Sequence, residues 1–546
     1  MAPESGGWWL GPDLAPGSDY AFIVNDSDPP IPDPASRWQP AGVHGPSRVY
    51  DQDRFAWTDS EWSGRGLPGA VLYELHIATF TQGATFDSAI ERLDHLGGLG
   101  VTHVEVMPIN AVNGEWNWGY DGVDWYAVHE PLGGPDGFKR FVDACHVRGL
   151  AVVLDVVYNH LGPSGNYLPR FGPYLKEGRN TWGDLINLEE PIVRSFVLDN
   201  ALMWLRDYHV DALRLDAVHA LHDNSARHIL AELSERVEAL AAEVGRPLVL
   251  IAESDLNDPV MIEPRPRGYG LTGQWDDDVH HALHSLLTGE QDGYYTDFGT
   301  LEVLAKTFTS VFLHDGTYST FREKVHGRPV DRASTPGWRF VVALQNHDQV
   351  GNRAVGDRLS ELASAGLVRV GAVLLLTSPF TPMLWMGEEW ASSTRWPFFT
   401  SHPEQELGEM TGQGRLAEFA DHGWDIAEVI DPQSPEAYRS AVLDWAEIEE
   451  PGHAEVLQLY RDLIALRSAE PELADGDLTR VQVDYDEDGR WAVVHRGGLR
   501  VVANFSATSR SLPLGASTVL LATGTCQLVD ATITLGGESA AIVRLG

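Results

Sequence analysis

The sequence predicts an α/β fold: a (β/α)8 TIM barrel with a partial β domain before it and an antiparallel β-sandwich after it. Three observations point there. From residue 70 onward, short continuous apolar runs alternate with amphipathic stretches, the pattern of parallel strands covered by helices on both faces. Eight such runs follow in series, the number that closes a barrel. After about residue 475 the texture changes to brief β runs between turn residues.

Residues 1–65 are rich in Pro, Gly, Asp and Trp, and the run DSDPPIPDPASRWQP cannot be helical. They are expected to form a partial β-sandwich module and a linker. The barrel is assigned to 66–470. Its strands are expected at 71–77, 101–108, 151–160, 212–218, 248–254, 271–275 (the weakest), 340–348 and 380–389. Helices are expected over 86–100, 137–150, 191–208, 226–244, the run DDVHHALHSLLTG, the run LSELASAGLVRVGAVLLL and 453–469. A short insertion covers 161–190, and 401–450 is a polar extension with little periodicity. The tail 471–546 is the sandwich, read from RWAVVHRG, LRVVANFS, STVLLAT and AAIVRLG. The competing doubly wound fold loses support because no G-x-G-x-x-G follows a strand.

Composition narrows the function classes. The 546 residues carry 79 acidic against 39 basic side chains, a net charge of −40. Such a surface repels nucleic acid and anionic membranes, so neither is an expected partner. Aromatics are plentiful, with 18 Trp, 16 Tyr and 18 Phe. They either pack the core or offer stacking faces to a neutral ligand such as a sugar, and composition alone favours packing. Cys145 and Cys526 cannot build a disulfide framework. MAPESGGWWL has neither a basic nor an apolar signal region, and 371–386 is short and proline-bearing for a membrane span. A cytoplasmic location is expected. Monomer and homodimer stay open.

In a barrel the carboxyl ends of the strands carry the chemistry. Here they are polar: Asn159 and His160 end strand three, Arg214 and Asp216 lie on strand four, Glu253 ends strand five, and Asn346, His347 and Asp348 end strand seven. Each alone is weak, since any strand leaving a core has a polar tip. Three carboxylates on one rim are harder to dismiss, because burying like charges together is costly. Two carboxyls flanking an acetal are the machinery of glycoside cleavage, one ionised to attack and one protonated to donate. Proximity raises one pKa and creates that split. A third carboxylate can stabilise an oxocarbenium-like transition state.

The segments DVVYNH (155–160), ALRLDAVHA (212–220), IAESDLND (251–258) and LQNHDQV (344–350) resemble, in order, the four sequence regions of the α-amylase family of glycoside hydrolases. Within it, WNWGYDGVDWYAV, the run 274–299, PMLWMGEEW and WPFFTSHPEQEL are similar to the branch that cleaves the α-1,4 bond beside the trehalose end of malto-oligosyltrehalose. That resemblance implies a retaining glycosidase releasing trehalose and a malto-oligosaccharide, acting after a malto-oligosyltrehalose synthase. It implies Asp216 as nucleophile, Glu253 as general acid then base, and Asp348 as transition-state stabiliser. Tyr120, His160, Arg214 and His347 match sugar-binding positions; Asp121 is a weaker candidate. Asp255 is well placed to recognise the trehalose leaving group. Retention expects the two carboxyls about 5–5.5 Å apart.

No cofactor and no metal are expected. His280 and His284 are four apart on a helix but lack an H-E-x-x-H partner motif. Asn159 matches a calcium-ligand position in true α-amylases, yet the insertion at 161–190 is short. Trp116 and Trp118 either line the cleft or pack the loop. Glycogen branching enzymes are the rival reading, similar through PDGFKRFVDACHVRGLAVVLDVVYNH; a non-catalytic glucan-binding protein is the second rival.

Overall fold

The computed structural model describes residues 1–4, 9–25, 28–421 and 429–546. Stretch 5–8 and residues 26–27 of the leader, and 422–428 of the polar extension, lie outside the described residues.

Eight parallel strands close into a barrel. In chain order they are β1 Leu72–Leu75, β2 His103–Val106, β3 Ala151–Val156, β4 Ala212–Leu215, β5 Val249–Ala252, β6 Gly273–Trp275, β7 Phe340–Ala343 and β8 Thr381–Trp385. β8 returns to pair with β1 through Met383–Leu72 and Trp385–Glu74. Strand alternation divides the side chains. Val104, Val106, Leu213 and Leu215 pack outward with the helices. Leu72, Val153, Ala212, Val249, Ile251, Trp275, Val341 and Met383 fill the lumen.

All eight expected strands form; seven end before the expected run does, and β6 ends with it at Trp275. The expected helix over 86–100 is two helices, Phe86–Ile90 and Leu93–Leu99, stopped at Gly100 in the left-handed region (φ 96°). The run after 359 likewise divides into Leu359–Leu362 and Ala365–Thr377, with Ser364 capping the second. Features that went unread include helix Leu301–Ser310, the hairpin Thr317–Ser319 with Lys324–His326, the hairpin Leu175–Arg179 with Asp184–Ile186, and helix Gln405–Asp421 in the polar extension.

Residues 1–65 hold two pairs of two-residue strands, Ala2–Pro3 with Trp9–Leu10 and Asp19–Tyr20 with Ser47–Arg48. The linker is clasped to the floor of the barrel. Asp59 Oδ2 meets His146 Nδ1 and His209 Nδ1, both at 2.8 Å, and His146 Nε2 lies 2.9 Å from Asp211. Fully buried Lys139 lies within 6 Å of the rings of Tyr50, Phe55, Trp57 and Tyr208 and donates to Gln52 O.

The tail is two antiparallel sheets, one of five strands and one of three. Val493, Val502, Ala541 and Val543 of the first pack against Leu512, Ile533 and Leu535 of the second. Both cysteines are unpaired. Among the described residues no helix is long and apolar enough to cross a membrane.

Candidate active site

The site stands on the carboxyl ends of β3, β4, β5 and β7. The chain leaves β4 through Asp216, whose backbone N–H is held by Val156 O at 3.0 Å. Ala217 follows with φ 40°, a strained left-handed turn. Two contacts hold it. Its N–H donates to Glu253 Oε2, and the N–H of Val218 donates to Glu253 O at 2.9 Å. The two carboxyl-bearing loops are thus tied to each other.

Arg214, on β4 two residues before Asp216, points to the same side of the strand. Its guanidinium is fully buried. Nη1 lies 2.8 Å from both Asp216 Oδ1 and Asp155 Oδ2, and Nη2 lies 3.4 Å from Glu253 Oε2. The guanidinium stacks 4.3 Å from the centroid of the Trp275 ring. Asp216 Oδ2 accepts from Asn159 Nδ2 at 2.7 Å. One oxygen of Asp216 is therefore set by β4 and the other by the end of β3.

A second chain of contacts fixes the opposite wall. The Tyr120 hydroxyl donates to Asp155 Oδ2 at 2.6 Å and lies 2.8 Å from His347 Nε2. The Tyr120 and His347 rings stack at 5.1 Å. His347 Nδ1 donates to Glu74 Oε1 at 2.6 Å, and its backbone N–H donates to Glu74 Oε2 at 3.0 Å. Burial pulls the imidazole down, but Asp348 and Glu74 overcome it and lift His347 to about 9. A cationic His347 then donates to Tyr120, which donates to Asp155. Asp348 leads into the cleft, its Oδ1 3.5 Å from His347 Nε2 and its side chain 41% exposed.

Glycine makes the approach of Tyr120 possible. Gly119 has φ 107°, and a Cβ there would overlap the Pro108 carbonyl oxygen. Gly351 is equally confined, since a Cβ would enter the Trp118 ring.

Burial pushes the Glu253 carboxyl up; Arg214 opposes this, while Asp216 and Asp348 add to it. Burial also lifts Asp155 to about 7, against the pull of Arg214. This cluster therefore offers what acid catalysis needs, a carboxyl that burial and like charges push up, beside one paired directly with a guanidinium.

The structure brings Asp216, Glu253, Asp348, Tyr120, Arg214 and His347 into one network. His160 joins it through Asn159, with Nδ1 2.5 Å from Asn159 Oδ1 and Nε2 3.0 Å from Tyr120 O. Asp121 turns aside: its Oδ2 accepts from Asn117 at 2.6 Å and lies 3.8 Å from His402. Asp255 sits on the rim, half-exposed, 3.6 Å from Arg322 and 3.9 Å from His219. Trp118 packs the loop, buried against Trp396 at 4.5 Å, while half-buried Trp116 stacks on Tyr438.

Sequence reasoning missed Glu74, Asp155, Asp277 and Trp182. Trp182, 48% exposed, stacks on His160 from the tip of the 161–190 insertion. Asp277 opens helix Asp277–Thr288. Burial, then Glu253 and Asp348, lift it to about 7. Its neighbours in the DDD run are structural. Asp276 caps the helix, and Asp278 accepts from Asn257 Nδ2 and Leu313 N. The histidines of that helix are engaged too, His280 3.1 Å from the Tyr295 hydroxyl and His284 2.7 Å from Glu290.

Comparison with known proteins adds to this geometry. The alpha amylase catalytic domain matches residues 52–172, and a domain of unknown function (DUF3459) matches 476–542. The chain is 53% identical to malto-oligosyltrehalose trehalohydrolase of Rhizobium sp. (strain M-11), across 99% of this chain and 92% of that one. It is 55% identical to the protein of the same name from Arthrobacter ramosus, across 100% and 95%. A Salmonella typhimurium crystal structure whose name refers to alpha amylase superposes with TM-score 0.90 at 37% identity, covering 97% of this chain and 91% of that one. The Group B Streptococcus pullulanase SAP shares the fold alone, at 16% identity and TM-score 0.68.

Proposed function

The chain belongs to the malto-oligosyltrehalose trehalohydrolases of the α-amylase group, and from that premise we propose how its own carboxylates perform the reaction. It is a glycosidase that cleaves malto-oligosyltrehalose and releases trehalose. Asp216 attacks C1 of the glucose on the non-reducing side of the α-1,4 bond. Glu253 gives its proton to the departing O4 of trehalose, so the leaving group exits neutral. Water deprotonated by Glu253 then opens the glycosyl ester on Asp216, which restores both carboxyls and the anomeric configuration. Asp348 offers negative charge to the oxocarbenium-like transition state.

The observation that carries this reading is the single guanidinium of Arg214, which contacts both Asp216 and Glu253. It favours a close-set pair, the arrangement of retaining enzymes, over one spread wide enough for an intervening water. Burial, with Asp216 and Asp348, pushes the Glu253 carboxyl up against the opposing pull of that guanidinium.

The rim beyond Glu253 is where the trehalose moiety leaves. Asp255, Arg322 and His219 cluster there, with Trp182 edge-on to His219. Asp255 thus binds the disaccharide rather than the reacting sugar. The substrate must come from a preceding reaction that closes a glucan end into trehalose. A cytoplasmic setting is favoured by the two unpaired cysteines.

The test uses two substrates, maltopentaosyl-trehalose and a reducing malto-oligosaccharide of similar length. Trehalose from the first and little change in the second is the expected result. New α-1,6 branches would make the protein a transferase, and no product from either would leave a binding protein.

A further inference from the structure

Beneath the catalytic carboxyls the lumen holds an acidic layer that this mechanism uses only in part. Glu74 on β1 and Glu105 on β2 are register partners, each 1% exposed. Asp155 on β3 and Arg214 on β4 are partners in the same way. Glu105 faces inward, because Val104 and Val106 on either side of it belong to the outer core.

The layer is unevenly paired. Glu74 spends both oxygens on His347. Asp155 receives Arg214 and Tyr120 on Oδ2 alone. Neither oxygen of Glu105 has a hydrogen-bond partner among the described residues. The same is true of Asp155 Oδ1, Arg214 Nε and Trp275 Nε1. With Arg214 Nη2, which has only its 3.4 Å ion pair with Glu253, these are three donors and three acceptors around one lumen, and buried polar atoms are satisfied by protein or by ordered water. Charge sharpens the point. The groups that face Glu105 are Glu74, Asp155, Arg214 and His347. The two cations among them are already engaged by Glu74, Asp155 and Asp216. An ionised Glu105 would sit opposite Glu74 on the next strand with no counter-ion.

We infer that Glu105 is carried as a neutral carboxylic acid and that, through water bound in the lumen, it acts as a positioning residue for the Asp155–Arg214 pair. The O–H of Glu105 donates into this water. Arg214 Nε–H also donates to it, and Asp155 Oδ1 accepts from it. Asp155 is thereby held on both oxygens, and Arg214 keeps the angle at which it meets Asp216. Burial, reinforced by Glu74, pushes the Glu105 carboxyl well above the usual carboxylate range. The kinetic part of this inference rests on Asp216 being the nucleophile; the protonation and hydration parts do not.

The test compares wild type, Glu105→Gln and Glu105→Leu. At neutral pH the infrared difference between wild type and Glu105→Gln shows the C=O stretch of a protonated carboxylic acid, shifted in D2O. A crystal structure of wild type and of the Gln variant shows water between residues 105, 155 and 214, and the Leu variant loses it. Glu105→Gln keeps kcat within about threefold with an unchanged pH profile, while Glu105→Leu lowers kcat about tenfold or more at similar KM. Three results would overturn the inference: no acid band in wild type, a Gln variant as impaired as the Leu variant, or a Leu variant with wild-type kcat. If the Leu variant does not fold, the infrared band and the water in the Gln variant decide. Failure of wild type to release trehalose would instead overturn the proposed function and leave the spectroscopic and crystallographic results standing.

Discussion

Arg214 holds Asp216: the two residues lie two positions apart on one strand, and Nη1 of the first is 2.8 Å from Oδ1 of the second. The same Nη1 reaches Asp155, so the guanidinium that orients Asp216 is itself held by a residue on the neighbouring strand.

A lysine cannot reproduce this fork, because a single ammonium cannot span Asp155, Asp216 and Glu253 in fixed geometry. Arg214→Lys is expected to lower kcat by about 10²–10³-fold, with a smaller change in KM. Steady-state kinetics on malto-oligosyltrehalose checks this. A variant retaining a third of wild-type kcat would show that the fork is dispensable.

The roles proposed for Asp216 and Glu253 should separate on a substrate whose leaving group needs no proton. With an α-maltosyl fluoride, Glu253→Gln is expected to release a burst of about one equivalent of fluoride and accumulate a glycosyl ester on Asp216. Asp216→Asn should give no burst. Mass spectrometry of the trapped protein locates the sugar, and an ester found elsewhere would reassign the nucleophile.

Asp277 should tune the acid. Its carboxyl interacts with Glu253 as a like charge, and such a neighbour raises the pKa of a proton-holding group. Replacing Asp277 with Asn removes the negative neighbour and makes Glu253 easier to ionise. The alkaline limb of kcat/KM is expected to move to lower pH, while trehalose remains the product. A limb that stays in place, or moves up, would remove Asp277 from the acid's environment.

His146 clasps the linker to the barrel floor. Burial lowers its pKa, but Asp211 and Asp59 outweigh this and raise it. A raised histidine stabilises the fold fully below its unfolded pKa, and that contribution is lost as pH rises through the folded pKa. His146→Gln is expected to destabilise by about 3 kcal/mol under acidic to neutral conditions, as expected for a broken buried pair. The gap from wild type should narrow at alkaline pH. Denaturant unfolding at pH values on either side of the transition measures both, and a gap that is constant with pH would refute the charged role.

Much of the barrel was legible because its strands are buried on both faces and read as continuous apolar runs. The motifs at their ends were legible because a polar group at a strand tip interrupts such a run. Helix Gln405–Asp421 was not, since its apolar residues keep no helical period. Glu74, Glu105 and Asp155 were not either. Each is one acidic residue inside an apolar strand, and nothing local distinguishes a lumen carboxyl from an irregularity. The pairing of Glu74 with His347 joins positions 273 residues apart, a contact that exists only after closure.

By itself the sequence determined the alternation of strand and helix, the order of the polar strand ends and the three strand-end carboxylates on which the proposed mechanism rests. Periodicity and residue type decide these locally. Only the tertiary structure decided which of those carboxylates share a guanidinium, and which of them burial pushes up. It also decided that Asp121 turns aside and Asp255 lies on the rim. Those outcomes depend on burial and on distances of about 3 Å between strands, where a charge is stabilised or neutralised by what barrel closure places beside it.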